Sequence, residues 1–105
     1  MSGANEITSF SVRGVKYKVI GTFHALHRLE LRGINKYHVA SACLALGEKL
    51  KAYNNSGKQV IITDVSKGLS AIFCIEDFTI VLITVLDTAT PHVKMNTVVE
   101  SFRFA

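Results

Sequence analysis

The sequence predicts a single α+β domain, spanning residues 1–105, in which helices cover one face of a β-sheet. Three observations indicate this class: two β-prone runs near the N-terminus, two consecutive stretches with helix caps, and further β-prone runs over the second half. The chain is 49% hydrophobic, which suits one core in a chain of this length. Because the helices are segregated from most strands, we expect N-terminal strands, two helices, and then an antiparallel sheet of about four strands packed on the helices.

The N-terminal runs predict a β-hairpin. Residues 7–12 (ITSFSV) and 15–20 (VKYKVI) flank the dipeptide Arg13-Gly14. The second run alternates polar and apolar side chains, as a strand with one face on a core does. Two strands joined by a short turn are therefore expected here.

Two helices are predicted from their capping residues. Thr22 can cap a helix that runs to about Arg32 and ends at Gly33. Asn35 can cap a second helix, which runs to about residue 46 and ends at Gly47. Apolar side chains recur at helical spacing on one face of this second helix, so we expect that face to be buried.

The second half of the chain predicts the remaining strands. The apolar window at residues 69–86 is about long enough to span a bilayer, but Glu76 and Asp77 lie at its centre, which favours two buried strands instead. Turn signals (NNSG, DVSKG and ED) separate the runs, and TVVESFRF near the end could add another strand. The four predicted runs are EKLKAY (48–53), KQVIIT (58–63), LSAIFCI (69–75) and TIVLITVL (79–86).

The cysteines and the N-terminal sequence indicate the cellular compartment in which the protein is expected. Cys43 and Cys74 lie in apolar surroundings without C-x-x-C spacing, which predicts buried thiols rather than a disulfide. The first ten residues lack a basic region followed by an apolar run, so no secretory signal is expected. Both observations favour a cytoplasmic protein.

The positive charge is unevenly distributed. Residues 1–52 hold eight Lys and Arg against three acidic residues, a net charge of +5, whereas the remainder holds four against five, a net charge of −1. The basic half also carries the stretch FHALHRLELRGI at residues 23–34, which contains two of the four histidines. A polyanionic partner for this half is therefore expected.

The first predicted helix is amphipathic with a cationic polar face. His24, Arg28 and Arg32 follow one another at i+4 spacing, and His27, a further candidate catalytic residue, lies beside this stripe. Like charges at this spacing repel by a few tenths of a kcal/mol per pair. A nearby anion would offset that repulsion, which favours a phosphate-binding role.

An imidazole beside two guanidiniums suits cleavage of RNA by internal transfer. A histidine can take the proton of the ribose 2′-OH, and arginines can stabilise charge on the phosphorus centre without a metal or other cofactor. Three alternatives remain open from the pattern. The stripe could be an ordinary solvated face, it could bind nucleic acid without chemistry, or His24-x-x-His27 could begin a zinc site completed by His38, His92 or a cysteine.

A second basic region could extend the contact with nucleic acid. Lysines with one aromatic residue flank a predicted turn, and such a track can hold phosphates and stack a base. Lysines at the edges of strands explain the same residues equally well. The candidate nucleic-acid-binding residues are Lys36, Lys49, Lys51, Tyr53 and Lys58.

The pattern H-x3-R-x3-R-x-I, here His24, Arg28, Arg32 and Ile34, is followed by a second helix, a glycine and strands that end in IVLITV. This arrangement resembles the RelE-like ribonuclease superfamily, especially the branch near the BrnT toxins, and the phage-encoded RegB endoribonuclease. The resemblance covers roughly residues 15–86.

The resemblance implies a metal-independent endoribonuclease, or an inactive relative. His24 would be the acid/base group, Arg28 and Arg32 the phosphate clamp, and Thr84 a polar contact on the final core strand. RegB-type enzymes use a second histidine on the following helix, and the corresponding place here holds Leu44, with His38 about a turn and a half earlier.

The leading hypothesis is accordingly a toxin-like or phage-type endoribonuclease, a hydrolase that acts on RNA, free or bound to a ribosome. The alternative is a non-catalytic phage or mobile-element protein that docks on a host protein or nucleic acid. An antitoxin or host protein is an expected partner for either, and a homodimer through the TVVESFRF strand is compatible with both. No membrane partner is expected.

Overall fold

The computed structural model describes residues 5–64, 68–87 and 98–101. Within these ranges it contains six strands and three helices, which follow one another as two strands, three helices and four strands. This arrangement is the predicted α+β class, with one helix more than expected. In chain order the elements are β1 (Glu6–Val12), β2 (Val15–Gly21), α1 (Phe23–Leu31), α2 (Lys36–Ala45), α3 (Lys49–Tyr53), β3 (Val60–Asp64), β4 (Leu69–Glu76), β5 (Thr79–Leu86) and β6 (Val98–Ser101).

The six strands form one sheet in the order β1-β2-β5-β4-β3-β6. The sheet is mixed: β2 pairs with β5 in parallel, and β3 pairs with β6 in parallel, while the other neighbours are antiparallel. The antiparallel pairing expected for the second half of the chain is found for β3, β4 and β5, whereas the parallel pairing of β2 with β5 and of β3 with β6 was not predicted. The helices connect β2 to β3 across the width of two strands, and such a crossover allows β2 to lie parallel to β5.

The predicted hairpin and helix starts are confirmed. Arg13 and Gly14 form the turn between β1 and β2, both with positive φ (49° and 82°), which suits a two-residue hairpin turn. The Thr22 side chain accepts a hydrogen bond from the backbone N–H of Ala25 at the start of α1. At the start of α2, the Asn35 side chain accepts one from Tyr37. These caps satisfy donors that a helix leaves unpaired at its first turn.

The run EKLKAY was predicted as a strand, but Lys49–Tyr53 is the short helix α3. Its Leu, Lys and Ala residues favour a helix, and the run contains no β-branched side chain. Leu50 is completely buried. α3 packs on β4 from the side that carries the core, so the tertiary contact agrees with the local propensity.

The core lies between the helices and one face of the sheet. Ala25 and Leu29 of α1 and Val39, Ala42 and Cys43 of α2 form one buried cluster with the sheet. Burial of apolar surface on this scale is the main stabilising contribution to such a domain. The strand residues of the cluster include Tyr17, Val19, Val60, Ile62, Ala71, Phe73, Ile75, Ile80, Leu82 and Val85.

The turn between β4 and β5 is Asp77-Phe78, one residue later than the predicted Glu76-Asp77. Both residues have positive φ (50° and 58°). The side chains of Asn55 and Asn54 accept hydrogen bonds from the backbone N–H groups of Asp77 (2.9 Å) and Phe78 (2.8 Å). These bonds hold a turn conformation that is unfavourable for a phenylalanine.

Some predictions lie outside the described residues. They concern His92, a candidate zinc ligand, and residues 65–67 of the DVSKG turn. Of TVVESFRF, residues 98–101 form β6, the predicted additional strand. None of the helices in the described ranges combines the length and apolarity that crossing a bilayer requires.

Candidate functional site

The start of α1 is attached to β5 by Thr22. β2 pairs with β5 as far as Gly21 opposite Leu82, and β5 then continues to Leu86 without a β2 partner. Thr22 follows directly: its backbone N–H donates to the carbonyl of Leu82 (3.0 Å), and its hydroxyl donates to the carbonyl of Ile83 (3.0 Å). One residue thus caps α1 and holds it beside the end of β5.

An irregularity in β5 lies at the same place. Phe73 of β4 pairs with Leu82, but Ile72 pairs with Thr84, so Ile83 is an extra residue and β5 carries a bulge. Bulges change the direction of the side chains next to them. The Thr84 hydroxyl lies 3.0 Å from Nε2 of His24, so the bulged part of β5 and the first turn of α1 meet through these two side chains.

The other end of the helical stripe also meets this stretch of chain. Nη1 of Arg32 lies 3.4 Å from Oδ2 of Asp87, directly after β5. Eight residues of helix span about 12 Å and three residues of strand about 10 Å, so the two segments match in length. We refer to His24, Arg28, Arg32, Thr84 and Asp87 as the α1–β5 seam.

The guanidinium groups of the seam are partly withdrawn from water. Nε of Arg28 and Nε of Arg32 are both buried, and neither has a hydrogen-bond partner among the described residues. The Arg32 side chain is 23% exposed, whereas its acidic partner Asp87 is 72% exposed. An unsatisfied buried donor costs about 1–3 kcal/mol. These donors, on Arg28 and on the C-cap residue Arg32, lie about one turn apart, and an acceptor group could bind both once the side chains turn towards solvent.

The seam has the chemistry of an anion site with an imidazole at one end. Guanidinium N–H groups bind phosphate and carboxylate oxygens through charge-assisted hydrogen bonds. When Nε2–H of His24 donates to the Thr84 hydroxyl, the lone pair of Nδ1 is left available to accept a proton. His24 is exposed, so a bound ligand could reach this nitrogen.

His27 does not join the seam in the described contacts. It lines a separate open groove with Phe23, Leu26, Leu29 and Glu30. Asn5, Ile34 and Lys36 complete the lining of that groove. Lys36 Nζ also lies 5.6 Å from the centre of the Tyr37 ring, within the range of a cation–π contact. His27 and Lys36 therefore lie near each other, on a side of α1 that differs from the seam.

The remaining candidate nucleic-acid-binding residues lie towards the opposite end of the sheet. Lys49, Lys51 and Tyr53 belong to α3, and the following Asn54 and Asn55 bind the β4–β5 turn. This turn precedes Thr79, which lies about 15 Å along β5 from Thr84. Lysines 49, 51 and 58 are exposed, whereas Tyr53 is half-buried against the core. The fold therefore separates this basic region from the seam.

The cysteines lie in contrasting environments. Cys43 is in the core, and burial raises the pKa of its thiol to about 12. Cys74 is half-buried, and its pKa is raised by burial and by the nearby Glu76 carboxylate. Among the described residues, no three His, Cys, Asp or Glu side chains lie close enough together to hold a metal ion.

Sequence reasoning identified four of the five seam residues and missed Asp87. It also assigned Thr22 only a capping role, although its hydroxyl reaches β5. The signal for a bulge was weak, because IVLITV has no glycine or proline to mark one. Comparisons of the chain with protein-family models, with curated proteins and with solved structures give no match, so the seam is described by its own geometry alone.

Proposed function

We propose that the protein is a small toxin-like or phage-type endoribonuclease that cleaves RNA at the α1–β5 seam without a metal ion. One observation carries the proposal: the buried Nε–H groups of Arg28 and Arg32 lack acceptors among the described residues, on the same stripe as His24. A phosphodiester would supply the acceptor oxygens once the two side chains turn to expose these groups. The resemblance of His24, Arg28 and Arg32 to the RelE-like pattern supports the same class of reaction.

In the proposed reaction, Nδ1 of His24 takes the proton of a ribose 2′-OH. The 2′-oxygen forms a bond to phosphorus while the bond from phosphorus to the 5′-oxygen of the next nucleotide breaks. The leaving oxygen takes a proton from solvent, and the products are a 2′,3′-cyclic phosphate and a free 5′-OH. Thr84 holds the imidazole in the orientation that this step needs.

Arg28 and Arg32 would stabilise the additional negative charge on the phosphorus centre. Donors already in place before the reaction need no reorganisation when charge develops. Arg32 also contacts Asp87, at 3.4 Å. Because the Asp87 carboxylate is mostly exposed, it remains stabilised by water when a phosphate competes with it for Arg32.

The net charge of +5 in residues 1–52 supports a polyanionic substrate. RNA, free or on a ribosome, is the substrate class that we propose, in the cytoplasm. An antitoxin or host protein that covers the seam would regulate it. The exposed Lys49, Lys51 and Lys58 would contact flanking nucleotides rather than the scissile phosphate, since they lie towards the other end of the sheet.

A second candidate function is binding without cleavage. The observation that favours it is that the seam, among the described residues, holds one imidazole and no second acid/base group other than the exposed Asp87. Transfer reactions usually use one group to remove a proton and another to supply one. A non-catalytic protein that grips phosphate through Arg28 and Arg32 would need only the guanidinium groups.

The test is to incubate the purified protein with total RNA in EDTA, beside the variant His24→Ala. We expect fragments that end in 2′,3′-cyclic phosphate with the wild type and intact RNA with the variant. His38→Ala is the matched control, because His38 is another exposed histidine, on α2, away from the seam. Circular dichroism and thermal unfolding should show that both variants remain folded.

Anisotropy of a labelled single-stranded RNA separates the two candidate functions. One outcome would favour the binding protein: the wild type binds the RNA without producing fragments in EDTA or in a translating extract, and Arg28→Gln or Arg32→Gln weakens this binding. Loss of either arginine should reduce the salt dependence of binding by about 0.7 per phosphate contact. Cleavage that persists in His24→Ala would contradict the assigned site.

A further inference from the structure

β1 forms one edge of the sheet, and the described residues place no strand against its outer side. Natural proteins protect such edges with charged side chains, proline or bulges. Residues 7–12 contain neither a charge nor a proline, and the irregularity between Glu6 and Thr8 leaves the pairing regular from Thr8 to Val12. This part of the edge can therefore accept another strand.

The helix beside this edge is apolar on its outer side as well. α2 buries Val39, Ala40, Ala42 and Cys43, yet its outer face presents Tyr37 and Leu44, which are 52% and 43% exposed. With Ser41 they form a stripe at i, i+4 and i+7. Lys36, His38 and Ser41 are also exposed on α2, so Tyr37 and Leu44 form a limited apolar patch against which a partner could pack.

The edge and the helix stripe form one surface. α2 packs mainly on β1. Ser9 and Phe10 of β1 and Tyr37, Ser41 and Leu44 of α2 line a shallow groove between them, with a volume of about 210 Å³. Thr8 and Ala40 complete the lining. Among the residues that the structure describes, no charged side chain lines this groove. We call the groove and the adjoining β1 edge the β1–α2 surface.

We propose that the β1–α2 surface binds a second copy of this chain, so that the two β1 strands pair in antiparallel orientation and join the sheets. The ends of the strand carry opposite charges, Glu6 at the start and Arg13 directly after the end, where Arg13 also forms an exposed ion pair with Glu48 (3.0 Å). Antiparallel pairing brings each Glu6 towards the Arg13 end of its mate, whereas parallel pairing would bring like charges together. The uncharged surface also lets two chains of net charge +4 approach without local repulsion.

The geometry agrees with packing of the two α2 helices. Strands in a sheet are about 4.8 Å apart, so the two-fold axis would run about 2.4 Å from β1. Because α2 packs mainly on β1, its two copies would lie next to this axis on the same face of the joined sheet, where they would be direct neighbours. Each Tyr37–Leu44 stripe would face its mate on the same side of the joined sheet. The contact is isologous and therefore closes at two chains.

In the proposed pairing, Phe10 lies opposite Phe10 of the second chain, and Ser9 lies opposite Ser11. A charge-swap experiment at the two serines can therefore test the pairing. The variant Ser9→Lys/Ser11→Lys and the variant Ser9→Glu/Ser11→Glu each place like charges opposite one another across the interface. We expect sedimentation equilibrium to give twice the chain mass for the wild type and the chain mass for each double variant alone. An equimolar mixture of the two variants should recover the doubled mass.

Ala52→Lys is the control, because Ala52 is exposed on α3, away from the β1–α2 surface. The Ala52→Lys variant should remain a dimer. Far-UV circular dichroism keeps loss of folding separate from loss of pairing. A monomeric wild type up to about 200 µM would overturn the proposal. So would a dimer that survives both double variants, since it would form through another surface such as the edge at β6. The proposal does not depend on the proposed ribonuclease function.

Discussion

His24 and Thr84 lie 60 residues apart in the sequence, yet Nε2 of His24 is 3.0 Å from the hydroxyl of Thr84. The contact connects the first turn of α1 with β5 just after its bulge. The two ring nitrogens therefore have different roles: Nε2 forms the hydrogen bond with Thr84, and Nδ1 is left to contact a ligand or substrate. The properties of the α1–β5 seam can be tested through this pair.

Thr84→Val removes the hydroxyl and preserves the shape of the side chain. We expect the His24 ring to lose its preferred tautomer and any seam activity to fall about fivefold, the effect of one hydrogen bond worth about 1 kcal/mol. The ¹⁵N shifts of the imidazole measure the tautomer directly. Thr79→Val, at the other end of β5, is the control. Unchanged ¹⁵N shifts in Thr84→Val would show that the hydroxyl does not orient His24.

Thr22→Val removes both the cap of α1 and the hydrogen bond to the carbonyl of Ile83. We expect a loss of about 2 kcal/mol in the free energy of unfolding, measured by urea denaturation. Asn35→Ala removes only a cap, the one at the start of α2, and should cost about 1 kcal/mol. Thr22→Ser should restore most of the stability. Equal losses for Thr22→Val and Asn35→Ala would mean that the bond to β5 contributes nothing.

Gly21 lies where β2 ends and α1 crosses the sheet. A Cβ at this position would approach Cδ2 of Leu26 to 2.9 Å and its Cγ to 3.0 Å. We expect Gly21→Ala to destabilise the protein by about 1 kcal/mol, because the half-buried Leu26 side chain must shift away from the new Cβ. The double variant Gly21→Ala/Leu26→Ala should lose less than the sum of the single losses, since the clash is removed. If the losses in the free energy of unfolding are additive, measured by thermal or urea unfolding, the contact with Leu26 is not the cause of the destabilisation.

The buried thiol of Cys43 leads us to expect that the folded protein loses stability at alkaline pH. Its pKa is raised by burial to about 12, against 9.0 for an unperturbed thiol. The folded chain therefore keeps the proton that the unfolded chain loses, so this contribution is complete below pH 9 and is lost as the pH rises towards 12. The slope reaches about 1.4 kcal/mol per pH unit.

Urea denaturation between pH 8 and about pH 10.5 measures this slope. Cys43→Ala lowers stability at every pH by leaving a small cavity, but its free energy of unfolding should fall less steeply with pH than that of the wild type. Cys74→Ala serves as the comparison, because Cys74 is only half-buried and should change the slope less. Identical slopes for wild type and Cys43→Ala would contradict a thiol held neutral by the fold.

The elements that followed from the sequence are those with strong local signals. Thr22 and Asn35 mark helix starts by side-chain hydrogen bonds to backbone groups two or three residues away. The β-branched runs became β3, β4 and β5 close to their predicted bounds. EKLKAY failed as a strand because a short run with charges and one buried leucine fits a helix equally well, and the tertiary contact of Leu50 decided between them.

The candidate site likewise combines features that the local sequence predicts with features that depend on the tertiary structure. The i+4 spacing of His24, Arg28 and Arg32 is a local property, because any helix over these residues places them on one stripe. Thr84 entered only through a family resemblance, and Asp87 was missed. The contacts of both depend on β5 lying beside α1, which no nearby sequence specifies.

The sequence by itself determined the α+β class, the two helix caps, the cationic stripe and the positions of most strands, because each depends on residues close together in the chain. The tertiary structure alone decided that β2 and β5 run parallel, that β5 bulges at Ile83, and that the seam and the lysines of α3 lie apart. Those features depend on which strands pair and in what register. Pairing is a balance among many weak contacts between distant segments, and it is settled only when the whole core packs.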